Sequence, residues 1–116
     1  VTLHDDLRYR ILKQLEANPA ISQRELAEAL GVSLGRANYC LRALIDKGLV
    51  KVDNFRRKDN KLAYAYLLTP AGIADKVVVT RRFLQRKLTE YDVLKAEIEA
   101  LQREVGADEI RRQSAN

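Results

Sequence analysis

Within residues 33–48, SLGRANYCLRALIDKG, one run of side chains carries the donors needed to bond to base edges: Arg36, Asn38, Tyr39 and Arg42. An arginine guanidinium can bond two acceptors of guanine in a major groove, and an asparagine amide can do the same for adenine. A tyrosine can reach a phosphate or a thymine methyl. Gly35, in the same run, permits close approach of the backbone. A solvated face of any surface helix is also polar, so this stripe does not decide by itself. A second set follows in FRRKDNKL, residues 55–62, where Arg56, Arg57, Lys58 and Lys61 stand against the single acid Asp59. Cations on a tight loop can lie along a phosphate backbone or enter a minor groove, with affinity that weakens as salt rises. A basic loop can equally serve solubility.

Other chemistries lack the residues they need. With one cysteine and one histidine, the chain has no ligand spacing that would close a tetrahedral metal site. Cys40 falls on the apolar side of its helix and reads as a small buried core residue rather than a redox sensor. His4 precedes the first helix with no nucleophile at any motif spacing, and no glycine-rich phosphate loop occurs. No enzyme activity, metal or cofactor is expected. Tyr64 and Tyr66 share one side of a strand and read as packing residues. The balance of 21 Lys+Arg against 16 Asp+Glu gives a net charge of +5 and points to an anionic partner. A membrane surface is also anionic, yet no run approaches a membrane-spanning length and no signal peptide is evident. The expected location is the cytoplasm, on the nucleoid when bound.

These side chains need elements to hold them. Ser22 followed by Glu25 forms a capping box, which predicts a helix starting there and presenting Leu26, Ala27, Ala29 and Leu30. Gly31 ends it. Ser33 caps a second helix, 33–47, with Gly48 after it and Lys47 in its last turn. Its apolar stripe is Ala37, Cys40, Leu41 and Leu44. Two helices across so short a turn are a helix-turn-helix. A first helix over residues 5–17, with Leu7, Ile11, Leu12 and Leu15 at helical spacing and Asn18-Pro19 at its end, supplies the third wall. After Gly48 the pattern becomes extended: Leu49, Val50 and Val52, then LAYAYLL, with Asp59-Asn60 at the turn. The expected fold is mainly α with a small β hairpin. It places a winged helix-turn-helix DNA-binding domain at 1–69, the hairpin being the wing, before a long C-terminal dimerisation helix.

Thr69-Pro70 starts that last helix, as an N-cap with proline at the first helical position. Tyr91, Leu94, Ile98, Leu101 and Val105 alternate three- and four-residue steps, the pattern of a coiled-coil seam, and Leu84 and Leu88 extend it in looser register. The seam predicts self-association over 70–105, with packing on the chain's own first helix as the other possibility. Glu90 and Lys95 flank it, and charge this sparse leaves parallel and antiparallel pairing open. The segment with Val77, Val78, Val79 and Phe83 is expected to pack on the winged domain. Residues 106–116, polar and without an apolar stripe, are expected to fray.

The chain resembles winged-helix regulators of the MarR type. The likeness is greatest to the small MarR-family proteins associated with exopolysaccharide (EPS) biosynthesis clusters. The segments LRYRILKQLEANP, ISQRELAEALGVSLGRANYCLRALIDKG, DNFRRKDNKLAYAYLLTPAGI and RKLTEYDVLKAEIEALQRE carry it over about residues 7 to 104. The resemblance implies a homodimeric bacterial transcription regulator binding double-stranded DNA at a pseudo-palindromic operator. Ser33, Gly35, Arg36, Asn38, Tyr39 and Arg42 match its recognition helix, and Arg56, Arg57, Lys58 and Lys61 its wing. Members of that family build the dimer from helices at both ends of the chain. With little sequence before the first helix, the resemblance puts dimerisation here on Leu84, Leu88, Tyr91, Leu94, Ile98, Leu101 and Val105. No small-molecule effector is assigned. The competing function is a protein-interaction module that uses the winged fold as a scaffold.

Overall fold

The computed structural model describes residues 2–56, 58–59 and 62–115, with the side chains of 2–4 and of Arg56 left outside the description. The element order is α1 (Thr2–Ala17), α2 (Gln23–Leu30), α3 (Leu34–Asp46), β1 (Val50–Arg56), β2 (Leu62–Leu68) and α4 (Pro70–Ser114). Among the described residues this is the expected helix, helix, turn, helix, hairpin, helix.

Leu7, Ile11, Leu12 and Leu15 of α1 are buried and form one wall of the core. The helix begins at Thr2, earlier than the expected residue 5, because the apolar period that locates a helix says little about turns outside the core. It ends at Ala17, where Pro19 disfavours helical backbone at Asn18.

Helix α2 starts as predicted. The Glu25 N–H donates to Ser22 Oγ and the Ser22 N–H to Glu25 Oε1, both at 3.1 Å. Leu26, Ala27 and Leu30 are buried, whereas Ala29 is exposed, so the face is narrower than expected. Both α2 and α3 then end in the same glycine motif. Gly31 (φ 68°) donates to Glu28 O and Val32 to Ala27 O; Gly48 (φ 75°) donates to Ile45 O and Leu49 to Leu44 O. These paired bonds satisfy the orphan carbonyls of each last turn, and the left-handed backbone between them favours glycine. Helix α3 stops at Asp46 with Lys47 as its C-cap, so the cation expected in its last turn sits one residue past it.

The hairpin is antiparallel, with Val50 opposite Leu68, Val52 opposite Tyr66, Asn54 opposite Tyr64 and Arg56 opposite Leu62. Phe55 and Arg56 belong to β1, which leaves a connection of residues 57–61, shorter than the expected FRRKDNKL loop. The Tyr66 N–H donates to Pro19 O at 2.8 Å, tying β2 to the α1–α2 turn.

Thr69 closes the unit. Its hydroxyl donates to Gly48 O (2.6 Å) and accepts from the Gly72 N–H (3.0 Å), while its own N–H donates to Leu49 O (3.0 Å). The first turn of α4 therefore lies hard against the α3–β1 junction. A Cβ on Gly72 would stand 1.9 Å from the Leu49 carbonyl oxygen, so no side chain fits there.

Contacts divide the chain into two compact units, Val1–Phe83 and Leu84–Asn116, so the boundary falls inside α4 and not at 69/70. Within the first unit, Val79 is fully buried and the Phe83 ring stacks on Tyr9 with centroids 4.8 Å apart. Arg8 pairs with Asp75 (3.1 Å), Arg82 with Asp5 (3.5 Å), and Lys76 with Glu16. Partly solvated pairs of this kind contribute at most about 1 kcal/mol each. They fix orientation more than stability. Val77 and Val78 stay about half exposed, so only part of the expected segment packs.

In the second unit α4 continues through Ser114, past the expected end near 105, and residues 106–114 are helical instead of frayed. Ala107, Glu109, Arg111 and Gln113 are all good helix formers, and Arg111 and Arg112 in the last turn complement the helix dipole. An apolar stripe decides whether a helix is buried, not whether it forms.

Candidate nucleic-acid interface

The core side of α3 fixes what its other side presents. Ala37, Leu41 and Leu44 are buried, the two leucines in one core cluster with residues of α1 and α2, and Cys40 packs against that cluster half-buried, short of the full burial expected. With this stripe inward, helical geometry places Gly35, Tyr39, Arg42 and Asp46 farthest from the core. Asn38 then lies on one flank and Arg36 on the other. All six residues are exposed, Tyr39 to 75%. Ser33 is the N-cap: its Oγ accepts the Arg36 N–H at 3.1 Å. Its hydroxyl thus holds the first turn that carries Gly35 and Arg36.

The stripe also contains an acid outside the set expected from sequence. Asp46 continues the outermost row one turn beyond Arg42. A carboxylate can accept from a cytosine amino group in a major groove and is repelled by phosphate. The place of Asp46 at the very end of the helix, beyond the run of donors, separates it from the base-reading pattern.

A groove of about 360 Å³ runs between α3 and the hairpin. Asn38, Arg42 and Asp46 line it from α3; Val52, Tyr64 and Tyr66 line it from the strands. Gln23, the first residue of α2, closes one end and donates from Nε2 to the Tyr66 hydroxyl at 3.2 Å. Tyr66 is buried (6% exposed) and Tyr64 is open (53%), although both are on one side of β2 as expected. The difference follows from distance along the strand: the core ends at Tyr66, and Tyr64 reaches past it. Gln23 and Tyr64 are the site residues missed in the sequence. Only the pairing of Asn54 with Tyr64, which fixes the hairpin register, brings that ring beside Asn38 and Arg42.

Tyr39 lies away from this groove. It borders a separate cavity of about 150 Å³ between α1 and α3, with Leu7, Ile11, Cys40 and Lys47. The predicted set is therefore split: Asn38 and Arg42 line the groove, whereas Tyr39, beside Arg42 on the outermost row, borders the other cavity and Arg36 lies on the far flank. Of the wing cations, Lys58 is exposed in the turn, and the side chain of Arg56 is not described. Arg57 and Lys61 lie outside the described residues.

Residues 4–51 match a family model described as winged helix-turn-helix DNA-binding. That span covers α1 through the first residues of β1, including the whole of α3. No curated protein matches the chain. Among solved structures it is similar to MepR, a transcription regulator of the Staphylococcus aureus multidrug efflux pump MepA. The identity is 20% over 85% of this chain and 78% of that one, with a TM-score of 0.56. A MarR/EmrR family transcriptional regulator from Acinetobacter sp. ADP1 is 21% identical over 84% and 73%, also at a TM-score of 0.56. A MepR mutant bound to an oligodeoxyribonucleotide is 20% identical over 85% and 78%, at 0.55. At such identities the likeness is one of fold. The fold is a winged helix-turn-helix. Among the described residues no group of side chains is placed to hold a metal ion, and no helix is long and apolar enough to cross a membrane.

Proposed function

We propose that this protein is a sequence-specific, double-stranded-DNA-binding transcriptional regulator of the MarR type that acts as a homodimer. Helix α3 enters the major groove, with Arg42 and Asn38 on base edges and Arg36 and Tyr39 on the flanking phosphates or thymine methyls. The hairpin tip, with Arg56, Arg57, Lys58 and Lys61, follows the backbone or the adjacent minor groove. The observation that carries this reading is the exposed outer row of α3 beside a groove whose far wall is the wing. The match of residues 4–51 to a DNA-binding family and the oligonucleotide bound by a structural neighbour support it.

Two such units on a pseudo-palindromic operator would place their α3 helices about one helical turn of DNA apart. Seven exposed apolar residues of the second unit, Leu84, Leu88, Tyr91, Leu94, Ile98, Leu101 and Val105, serve as the dimerisation surface. The resemblance to exopolysaccharide-associated regulators extends the proposal to genes of exopolysaccharide biosynthesis. Selecting bound sequences from a random duplex pool tests it. Enrichment of a two-fold symmetric site supports the reading, and recovery of unenriched DNA, or of none, defeats it. The same exposed face also favours a second reading, in which the chain pairs with a helix of another protein. A monomeric chain that ignores DNA would support that alternative.

A further inference from the structure

Because α4 is one unbroken helix to Ser114, residues 84–114 can each be assigned a position around it. The three- and four-residue steps make Leu84, Tyr91, Ile98 and Val105 the a positions and Leu94 and Leu101 the d positions, each about half exposed. We infer that this face takes a second copy of the same helix, in parallel and in register, as a two-stranded coiled coil. The inference rests on the homodimer proposed above and adds its geometry.

Two observations carry it. The first is the core chemistry: a β-branched residue at a, Ile98 and Val105, alternates with leucine at d, Leu94 and Leu101. Among parallel coiled coils that combination favours two strands over higher assemblies. The second is charge. Glu90, Glu97, Glu104 and Arg111 occupy the g row along one edge, and Leu88, Lys95, Gln102 and Glu109 the e row along the other. Parallel helices bring g against the following e of the partner. Glu90 then meets Lys95, Glu97 meets Gln102, and only the distal Glu104 meets an acid, Glu109. Antiparallel helices bring g against g and e against e. In the register that sets Ile98 against Leu94, Glu90 then faces Glu104, Glu97 faces its own copy, and Lys95 faces its own copy.

Parallel pairing sets the polar d residues, Lys87 and Asp108, each against its own copy, and each has a counter-charge on its own chain. Lys87, at d, is held by Glu90 of its own chain at 3.1 Å, and Asp108, at d beyond Val105, by Arg111 at 3.8 Å. In a parallel pair Glu90 thus lies between Lys87 of its own helix and Lys95 of the other. Parallel pairing also joins the two chains at the same end, with helix axes about 8–10 Å apart where each leaves its winged unit. Antiparallel pairing over residues 84–105 would separate those exit points by roughly 30 Å, at about 1.5 Å per residue.

Cross-linking in the full chain tests this. In a Cys40→Ser background, Val105→Cys and, separately, Leu101→Cys are oxidised after the association state has been measured by sedimentation. Parallel, in-register pairing predicts a disulfide-linked dimer from each variant alone, since equivalent residues come within disulfide reach. A sedimenting dimer that gives no such link, but does link when Lys87→Cys and Val105→Cys chains are mixed, overturns the parallel arrangement and leaves the homodimer standing. A monomer overturns both. Lys95→Glu provides a readout that needs no added thiol. Self-association weakens several-fold if Lys95 meets Glu90 of the partner, and an unchanged affinity contradicts the pairing.

Discussion

At the residue scale, the side chains that face the groove differ in what they can discriminate. Asn38 and Arg42 line it from α3, and each can make a bidentate bond to one base. Arg42→Ala should relax preference at one position of each half-site, at a cost of about 1–3 kcal/mol on the selected sequence and little on random duplex. Competition titrations with single-base operator variants would show it, and a uniform loss across all variants would assign Arg42 to phosphate instead. Gly72 makes the opposite kind of prediction, about stability alone. Because a Cβ would stand 1.9 Å from the Leu49 carbonyl oxygen, Gly72→Ala must push α4 off the α3–β1 junction. Overpacking of this kind costs about 1–3 kcal/mol. Urea denaturation should report a lower midpoint, and an unchanged midpoint would mean that the close approach relaxes freely.

At the element scale, the devices that start and stop helices were readable directly, because they are local. Ser22 with Glu25, Ser33 with the Arg36 N–H, and the glycines at 31 and 48 each act within one turn. Devices that depend on distant partners were not readable. Nothing near Tyr64 or Gln23 in sequence says that a hairpin register and an α2 terminus will bring them to the groove of Asn38. Likewise, Val77, Val78 and Val79 are equally apolar, and only the Thr69–Gly72 junction sets the helical phase that buries Val79 alone. The same reasoning explains residues 106–114, where missing apolar residues argued for fraying although helix propensity was sufficient. Gly106 is the weak point of that stretch, with open space around it. Gly106→Ala should stabilise the helix by about 0.5–1 kcal/mol. Thermal melting followed by circular dichroism would register it as a higher midpoint for the helical signal. The hairpin makes a separate prediction. Neutralising Arg57 and Lys58 should weaken binding to every duplex alike and flatten the dependence of affinity on salt, by a slope change of about one for each phosphate no longer neutralised.

At the scale of the whole molecule, the two units divide the work. The first contains a core, a capped helix-turn-helix and a groove; the second buries almost nothing and exposes an apolar row. A helix with such a row gains its stability by covering it, at roughly 25 cal/mol for each Å² removed from water. A partner helix is the simplest cover. Dimerisation would in turn convert two weak half-site contacts into one strong bivalent one, because the second winged unit binds at a raised effective concentration. Variants that break the seam, such as Ile98→Asp, should therefore lose most affinity for a full operator while binding an isolated half-site as before.

The claim on which the rest depends is that α3 reads sequence. Titrating wild type and Asn38→Ala against a selected duplex and a random duplex, at several salt concentrations, tests it most directly. The predicted result is a loss of about 1–3 kcal/mol on the selected duplex with little change on the random one and an unaltered salt slope. Equal losses on both duplexes, or wild-type binding that shows no preference between them, would contradict it.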